Sequence, residues 1–172
     1  NLAPIEGENH GFAIDGVASG VQTLSVNASV RGLAKFGWVG RAKGARIAFA
    51  VLGLQVEHIV ICGHYKCGGV YAAMQGTATG KLASWIEGIA RLYETKRESL
   101  VDLPEEARLK ALCELNVGMQ LASVASSPPV QQVWASGNAL DLHGLIYDLE
   151  TGLLKDLGIS LRGPQDLTTD LL

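Results

Sequence analysis

The stretch from Val56 to Cys62 constrains the fold more than any other part of the chain. Val56, Ile59, Val60 and Ile61 are β-branched and nearly continuous, so the segment reads as a strand and not as one face of a helix. A strand without polar alternation needs cover on both faces, as in a parallel sheet packed between helices. Gly63 breaks the run. His64 and Cys67 follow at once, three residues apart, with Gly63, Gly68 and Gly69 around them.

The rest of the chain supplies the crossover helices such a strand requires. The segment from Ala42 to Leu54 places Ile47, Ala50, Val51 and Leu54 at helical spacing. Val70 to Met74 reads as a short helix and Gly76 to Gly80 as a loop. Lys81 to Glu98 is an amphipathic helix, with Leu82, Trp85, Ile86, Ile89 and Leu92 on one side. Asp102-Leu-Pro104-Glu-Glu is a helix start: a capping carboxylate, a proline in the first turn, then acids at the positive end of the dipole. That helix runs to about Ser126, and Pro128 and Pro129 interrupt before a short turn from Val130 to Ala135. Leu140 to Leu149 is a second strand, Thr151-Gly152 a turn, and Leu153 to Leu157 either pairs back or opens a short helix. Residues 1 to 41 are Gly- and Ser-rich and irregular, with one short strand expected at Thr23 to Val26. The expectation is one α/β domain over residues 1 to 172, with a mostly parallel central sheet flanked by helices.

Composition removes several function classes. The chain has 172 residues, 18% of them charged, with a net charge of -3 and pI near 5.8. No basic stripe exists for nucleic acid or an acidic membrane surface, and aromatic residues are too few for base stacking. Ile47 to Val56 is too short to span a bilayer, and Leu115 to Leu140 carries Asn, Gln, Ser and two prolines. The first residues lack a basic start and an apolar core, so no signal peptide is expected. Three cysteines, Cys62, Cys67 and Cys113, make no disulfide framework, so a reducing compartment is expected, the cytoplasm or an organelle matrix.

His64 and Cys67 are close enough in sequence to bind one ion from a single loop. Zinc prefers Cys sulfur and His nitrogen in a tetrahedron, and glycines let a backbone turn tightly beside the metal. For an isolated H-x-x-C the bland reading is a buried thiol beside a satisfied loop histidine. Here the preceding strand and the glycines, together with the resemblance carried by the wider sequence, favour the metal. Other sites fit worse. No G-x-G-x-x-G follows the strand, Cys62 to Cys67 is the wrong spacing for a redox C-x-x-C, and no G-x-S-x-G is present.

Several segments taken in order resemble one family. They are Val56-Glu-His-Ile-Val-Ile-Cys-Gly-His-Tyr-Lys-Cys-Gly-Gly-Val70, Leu112-Cys-Glu-Leu-Asn-Val117, Val133-Trp-Ala-Ser-Gly137, Leu142-His-Gly-Leu-Ile-Tyr-Asp148 and Gly152-Leu-Leu-Lys-Asp-Leu-Gly158. From about Gly44 to Gly158 the chain resembles a β-class carbonic anhydrase. The resemblance implies that His64 and Cys67 are two of three Zn2+ ligands, with Gly68 and Gly69 beside the substrate pocket. It implies the reversible hydration of carbon dioxide to bicarbonate and a proton, because zinc lowers the pKa of a bound water to roughly 7. It also implies a homodimer or homotetramer. Cys62, Cys113 and His143 read as structural, and Lys66, where the family more usually has a small residue, reads as a solvated loop lysine.

The family also carries a C-x-D-x-R motif some tens of residues before the H-x-x-C. Its Cys is the third zinc ligand, and its Asp and Arg occupy or free the fourth position. No C-x-D-x-R occurs in this chain, and no Cys precedes Cys62. Three expectations stand side by side. The chain is an inactive member with a structural or regulatory role. The motif lies upstream of Asn1, since the chain begins with Asn and not with Met. Or another residue completes the site: Asp15, in Phe12-Ala-Ile-Asp-Gly-Val17, or His10 or His58. Asp15 is also the candidate for the family's catalytic aspartate.

Overall fold

The computed structural model describes residues 33–34 and 46–168. The expected strand at Thr23 to Val26, and the irregular segment around it, lie outside these residues. Four strands form one sheet in the order β1-β2-β3-β4: β1 is Leu33–Ala34, β2 His58–His64, β3 Asp141–Tyr147 and β4 Leu154–Leu161. β1, β2 and β3 run parallel, and β4 is antiparallel to β3. The helices are α1 Gly68–Gln75, α2 Gly80–Thr95, α3 Arg97–Leu100, α4 Glu105–Ala125 and α5 Pro128–Ala135. The mixed, mainly parallel sheet with crossover helices is the α/β architecture expected from the strand at Val56 to Cys62. The open choice at Leu153 to Leu157 resolves as a strand that pairs back.

Alternation sorts the β2 side chains by face. Ile59 and Ile61 join Leu142 of β3, Val117, Leu121, Val124 and Ala125 of α4, and Val130, Val133 and Trp134 of α5 in one core. Val60, on the other face, is also buried, as a strand covered on both sides requires. A second cluster, nearer the carboxyl ends of the strands, joins Tyr65, Val70 and Met74 to Leu92, Leu112, Cys113 and Ile146. Trp134 closes the α5–β3 connection by donating its indole N–H to Leu140 O at 2.7 Å.

Three local expectations need correction. The segment before β2 closes as a π-helical turn, Phe49–Gly53, with the Leu54 N–H donating to Phe49 O at 2.9 Å. The extra residue in that turn rotates the apolar stripe. Ile47, Ala50 and Val51 stay buried, but Leu54 is exposed. The amphipathic helix ends at Thr95, short of Glu98, and of its expected stripe Leu82 and Trp85 are exposed. At the start of α4 the capping position is Pro104, with no side-chain cap. Asp102 stands too far back, and Arg108 instead ties the entry loop to the helix by donating to Val101 O and Leu103 O, each at 2.9 Å.

The approach of α4 to the sheet is set by glycines. A Cβ on Gly63 would lie 2.6 Å from Val117 Cγ2, and one on Gly144 would lie 3.4 Å from Val117 Cγ1. Val117 therefore sits in a notch that only two bare strand positions leave open. Gly63→Ala should destabilise the fold by about 1–3 kcal/mol through overpacking, read from urea unfolding. In a Val117→Ala background the same change should cost clearly less. An equal cost in both backgrounds would remove the steric explanation.

Candidate metal centre

His64 is the last residue of β2, and its position is fixed by the ladder. Its register partner is Tyr147, whose carbonyl also accepts from the Tyr65 N–H at 3.0 Å. The loop therefore leaves the strand in a set direction. The His64 Nδ1–H donates to Tyr65 O at 2.8 Å. That bond fixes the tautomer and leaves Nε2 with its lone pair. Nε2 is buried and has no nitrogen or oxygen partner; the side chain that interacts with the ring is Cys67. Buried nitrogens without partners are rare, because desolvation without compensation is costly.

Cys67 is the capping residue of α1, with extended backbone, φ -66° and ψ 117°. Burial pushes its thiol pKa up. The attraction of His64 and the backbone N–H groups of Val70 and Gly69 outweigh that and hold it below the ordinary thiol value. The same sulfur raises the pKa of His64 against the opposing effect of burial, and the Tyr65 carbonyl adds to the rise. The two groups thus favour each other's charged form, the imidazole shifted up and the thiol shifted down. A sulfur shifted toward its thiolate form and a buried imidazole nitrogen, on one tight loop, are a donor set that fits zinc.

Lys66 lies between them in the left-handed region at φ 56°. An ordinary side chain is strained there. Its ammonium pairs with Glu150. Of the two glycines assigned to the pocket, Gly68 faces open space, whereas a Cβ on Gly69 would lie 3.3 Å from the Trp85 ring. Gly69 is therefore a packing contact that lets α1 close on α2.

A polar brace holds this loop against α4 and β4. The Tyr65 hydroxyl donates to Glu114 Oε1, and Lys155 Nζ donates to the same oxygen at 2.8 Å and to the Tyr65 oxygen at 3.3 Å. Lys110 Nζ lies 5.9 Å from the centre of the Tyr65 ring. Burial would raise the Glu114 pKa, but the bonds from Lys155 and Tyr65 hold it below the ordinary glutamate value. Spacing alone did not single out Tyr65, Glu114 or Lys155. The usable signal was that each falls in a segment carrying the family resemblance.

The remaining candidates separate cleanly. Cys113 is buried in α4, and burial pushes its thiol up to about 12, so it stays protonated. Cys62 alternates to the His64 face and donates to Gly63 O at 3.4 Å. His58 opens β2 while His64 closes it, six residue steps or roughly 20 Å apart along a strand. His58 therefore cannot be the third ligand of this site. Among the described residues no third His, Cys, Asp or Glu converges on His64 and Cys67. Asp15 and His10 lie outside the described residues.

Fold and site define an α/β protein with a neighbouring His–Cys pair at the carboxyl ends of parallel strands. A family model described as carbonic anhydrase matches residues 21–154. The chain is 40% identical to a carbonic anhydrase of Emericella nidulans over 118 residues, 68% of this chain and 52% of that protein. It superimposes on a Coccomyxa β-carbonic anhydrase, solved with acetazolamide, with TM-score 0.69 and 32% identity over 74% of this chain and 60% of that one. A structure from Sordaria macrospora, described as one of two tetrameric β-carbonic anhydrases, gives TM-score 0.64 at 31% identity, over 69% of this chain and 61% of the other. The chain belongs to the β-class carbonic anhydrase family. It spans about half the length of the curated relatives it matches.

The brace has an acid signature. Because the Glu114 pKa is lower folded than unfolded, its contribution is present above the ordinary glutamate value, near about 4.3, and is lost as pH falls through the lower folded value. Glu114→Gln should lower the thermal midpoint at pH 7. The gap from the unaltered protein should narrow as pH falls below about 4.3 and vanish once Glu114 is protonated in the folded protein too. With Lys155 in solvent, the gap should correspond to about 1 kcal/mol or less. A gap that persists unchanged at pH 3 would show that the carboxylate charge contributes nothing.

Proposed function

We propose that this chain supplies His64 and Cys67 to a zinc site, and that the protein built on it interconverts carbon dioxide and bicarbonate. One observation carries this: the buried His64 Nε2, without a nitrogen or oxygen partner, beside a sulfur held toward its thiolate form. A cation bound there would satisfy both at once. Zinc supplies Lewis acidity at such a site, lowering the pKa of a coordinated water to about 7 so that hydroxide is available near neutrality.

The chain's own residues do the positioning. The Tyr65 carbonyl orients the imidazole through Nδ1, an outer contact of the kind that metal-binding histidines ordinarily need. The first turn of α1 stabilises the sulfur as an anion. The brace from Glu114 and Lys155 keeps Tyr65, and with it the histidine, in place. Gly68 leaves open space on the loop, so no side chain there would obstruct a small substrate. Asp15 and His10 are the residues of this chain to test as a third ligand, and the expected assembly is a homodimer or homotetramer. Among the described residues no helix is long and apolar enough to cross a membrane.

A second reading has its own support: no C-x-D-x-R occurs in the sequence, and two protein ligands fall short of the usual three or more. Under it the chain is an inactive member with a structural role. Elemental zinc analysis with a stopped-flow hydration assay separates the two. The enzymatic reading expects bound zinc and hydration well above the buffer rate, both lost in His64→Ala and in Cys67→Ala. Bound zinc with no rate above buffer selects the second reading. Zinc content untouched by either substitution overturns the site assignment.

A further inference from the structure

The opposite end of the sheet carries another group of ligand-type side chains. His58 of β2 and Asp141 of β3 are register partners, and His143 lies two residues further along β3 on the same face. One ligand atom from each lies within 4.8 Å of the other two. His58 Nδ1 is 3.1 Å from His143 Nε2. The rings are tilted by 35° with centroids 5.3 Å apart, so nitrogens meet and not ring faces. Among the described residues no other trio of His, Cys, Asp or Glu converges in this way.

We propose that His58, Asp141 and His143 form a second divalent-metal site, of zinc type, that clips β2 to β3 at their amino ends. Two zinc–nitrogen bonds of about 2.0–2.1 Å in a tetrahedron separate their nitrogens by about 3.3–3.4 Å. The observed 3.1 Å is close to that spacing. His143 is also oriented as a ligand. Its Nδ1 is hydrogen-bonded to Ser160 Oγ of β4 at 3.1 Å, and the tautomer in which Nδ1–H donates to that hydroxyl presents the Nε2 lone pair toward His58. Such an outer hydrogen bond normally accompanies a metal-bound histidine.

The donor set selects the metal class. Two imidazoles and a carboxylate suit zinc, cobalt or nickel, whereas calcium and magnesium ask for oxygen. Asp141 Oδ2 lies 3.6 Å from Arg162 Nε, and that arginine side chain is well exposed, so it can yield the carboxylate to a metal. Asp156 adds negative charge near His143. Three protein ligands leave a position open to water, and His58 is exposed, so an ion can enter.

Cobalt(II) tests this independently of the His64–Cys67 site, because only a thiolate site gives a sulfur-to-metal charge-transfer band. A His64→Ala/Cys67→Ser variant of the full chain should still bind cobalt(II), with visible d–d absorption and no sulfur band. Adding His58→Ala or His143→Ala should weaken that binding tenfold or more, and Ser160→Ala should weaken it about 10–100-fold. In the otherwise unaltered chain, His58→Ala should remove one ion per chain and spare any sulfur band. A sulfur band missing from the unaltered protein, with d–d absorption present, would count against the first site and not the second. The proposal is overturned if the folded double variant, checked by circular dichroism, takes up no cobalt. It is equally overturned if binding ignores both His58→Ala and His143→Ala. If the double variant does not fold, the single His58→Ala change decides: unchanged cobalt stoichiometry leaves a plain imidazole–imidazole hydrogen bond.

Discussion

The seat of Val117 between Gly63 and Gly144 fixes the distance from α4 to the sheet, and the rest of the site follows from that distance. With Val117 lodged over two bare strand positions, the preceding turn of α4 lies under the loop that leaves β2. Cys113 then packs in the cluster that includes Tyr65 and Ile146, with Cys67 against it. Glu114, the next residue, reaches the Tyr65 hydroxyl. A bulkier residue at Gly63 would push the helix away, and the loop would lose its floor and its brace together. Interiors are packed too densely to absorb such a change locally.

Geometry at His64 is therefore held from three directions. The β2–β3 ladder continues one residue past the strand through the Tyr65 N–H and Tyr147 O. The Tyr65 carbonyl turns back to hold the imidazole. The Tyr65 side chain is tied to α4 and β4. None of these contacts is a metal ligand, yet each removes a freedom that a metal would otherwise have to freeze on binding. Preorganisation of this kind lowers the cost of capturing an ion. It also explains how Lys66 tolerates a left-handed backbone, since the flanking residues are fixed and the chain must still reach Cys67 in three steps.

What was legible in the sequence depended on period and on punctuation. β2 was readable because β-branched residues run to a glycine, and α4 because acids and a proline mark its start. The stripe of the helix beginning at Lys81 was only half readable. Periodicity names the residues that share a face, but it does not tell which of them, such as Leu82 and Trp85, overhang the edge of their partner. The π-helical turn at Phe49 was invisible for a related reason: one extra residue per turn alters the facing of Leu54 without altering composition. The pair His64 and Cys67 stood out by spacing and chemistry, and the family resemblance tipped the reading toward a metal. The brace was not, because Tyr65, Glu114 and Lys155 are distant in sequence and each is an ordinary residue by itself. The meeting of His58 with Asp141 and His143 was hidden for the same reason, since it depends on the β2–β3 register.

That register connects the two ends of the sheet. Parallel pairing from His58↔Asp141 to His64↔Tyr147 is continuous, so β2 and β3 behave as one rigid element with ligand-type groups at both ends. At the carboxyl end a cysteine sulfur and an imidazole come from a single loop, shaped by helix packing. At the amino end two imidazoles and a carboxylate come from two strands, placed by pairing alone. A one-residue slip would turn His143 to the opposite face and away from His58. The same slip would move Tyr147 out of reach of the Tyr65 N–H and release His64. A metal clip at the amino end would oppose that slip. Its effect on the carboxyl end would then pass through strand register, with no contact between the two sites.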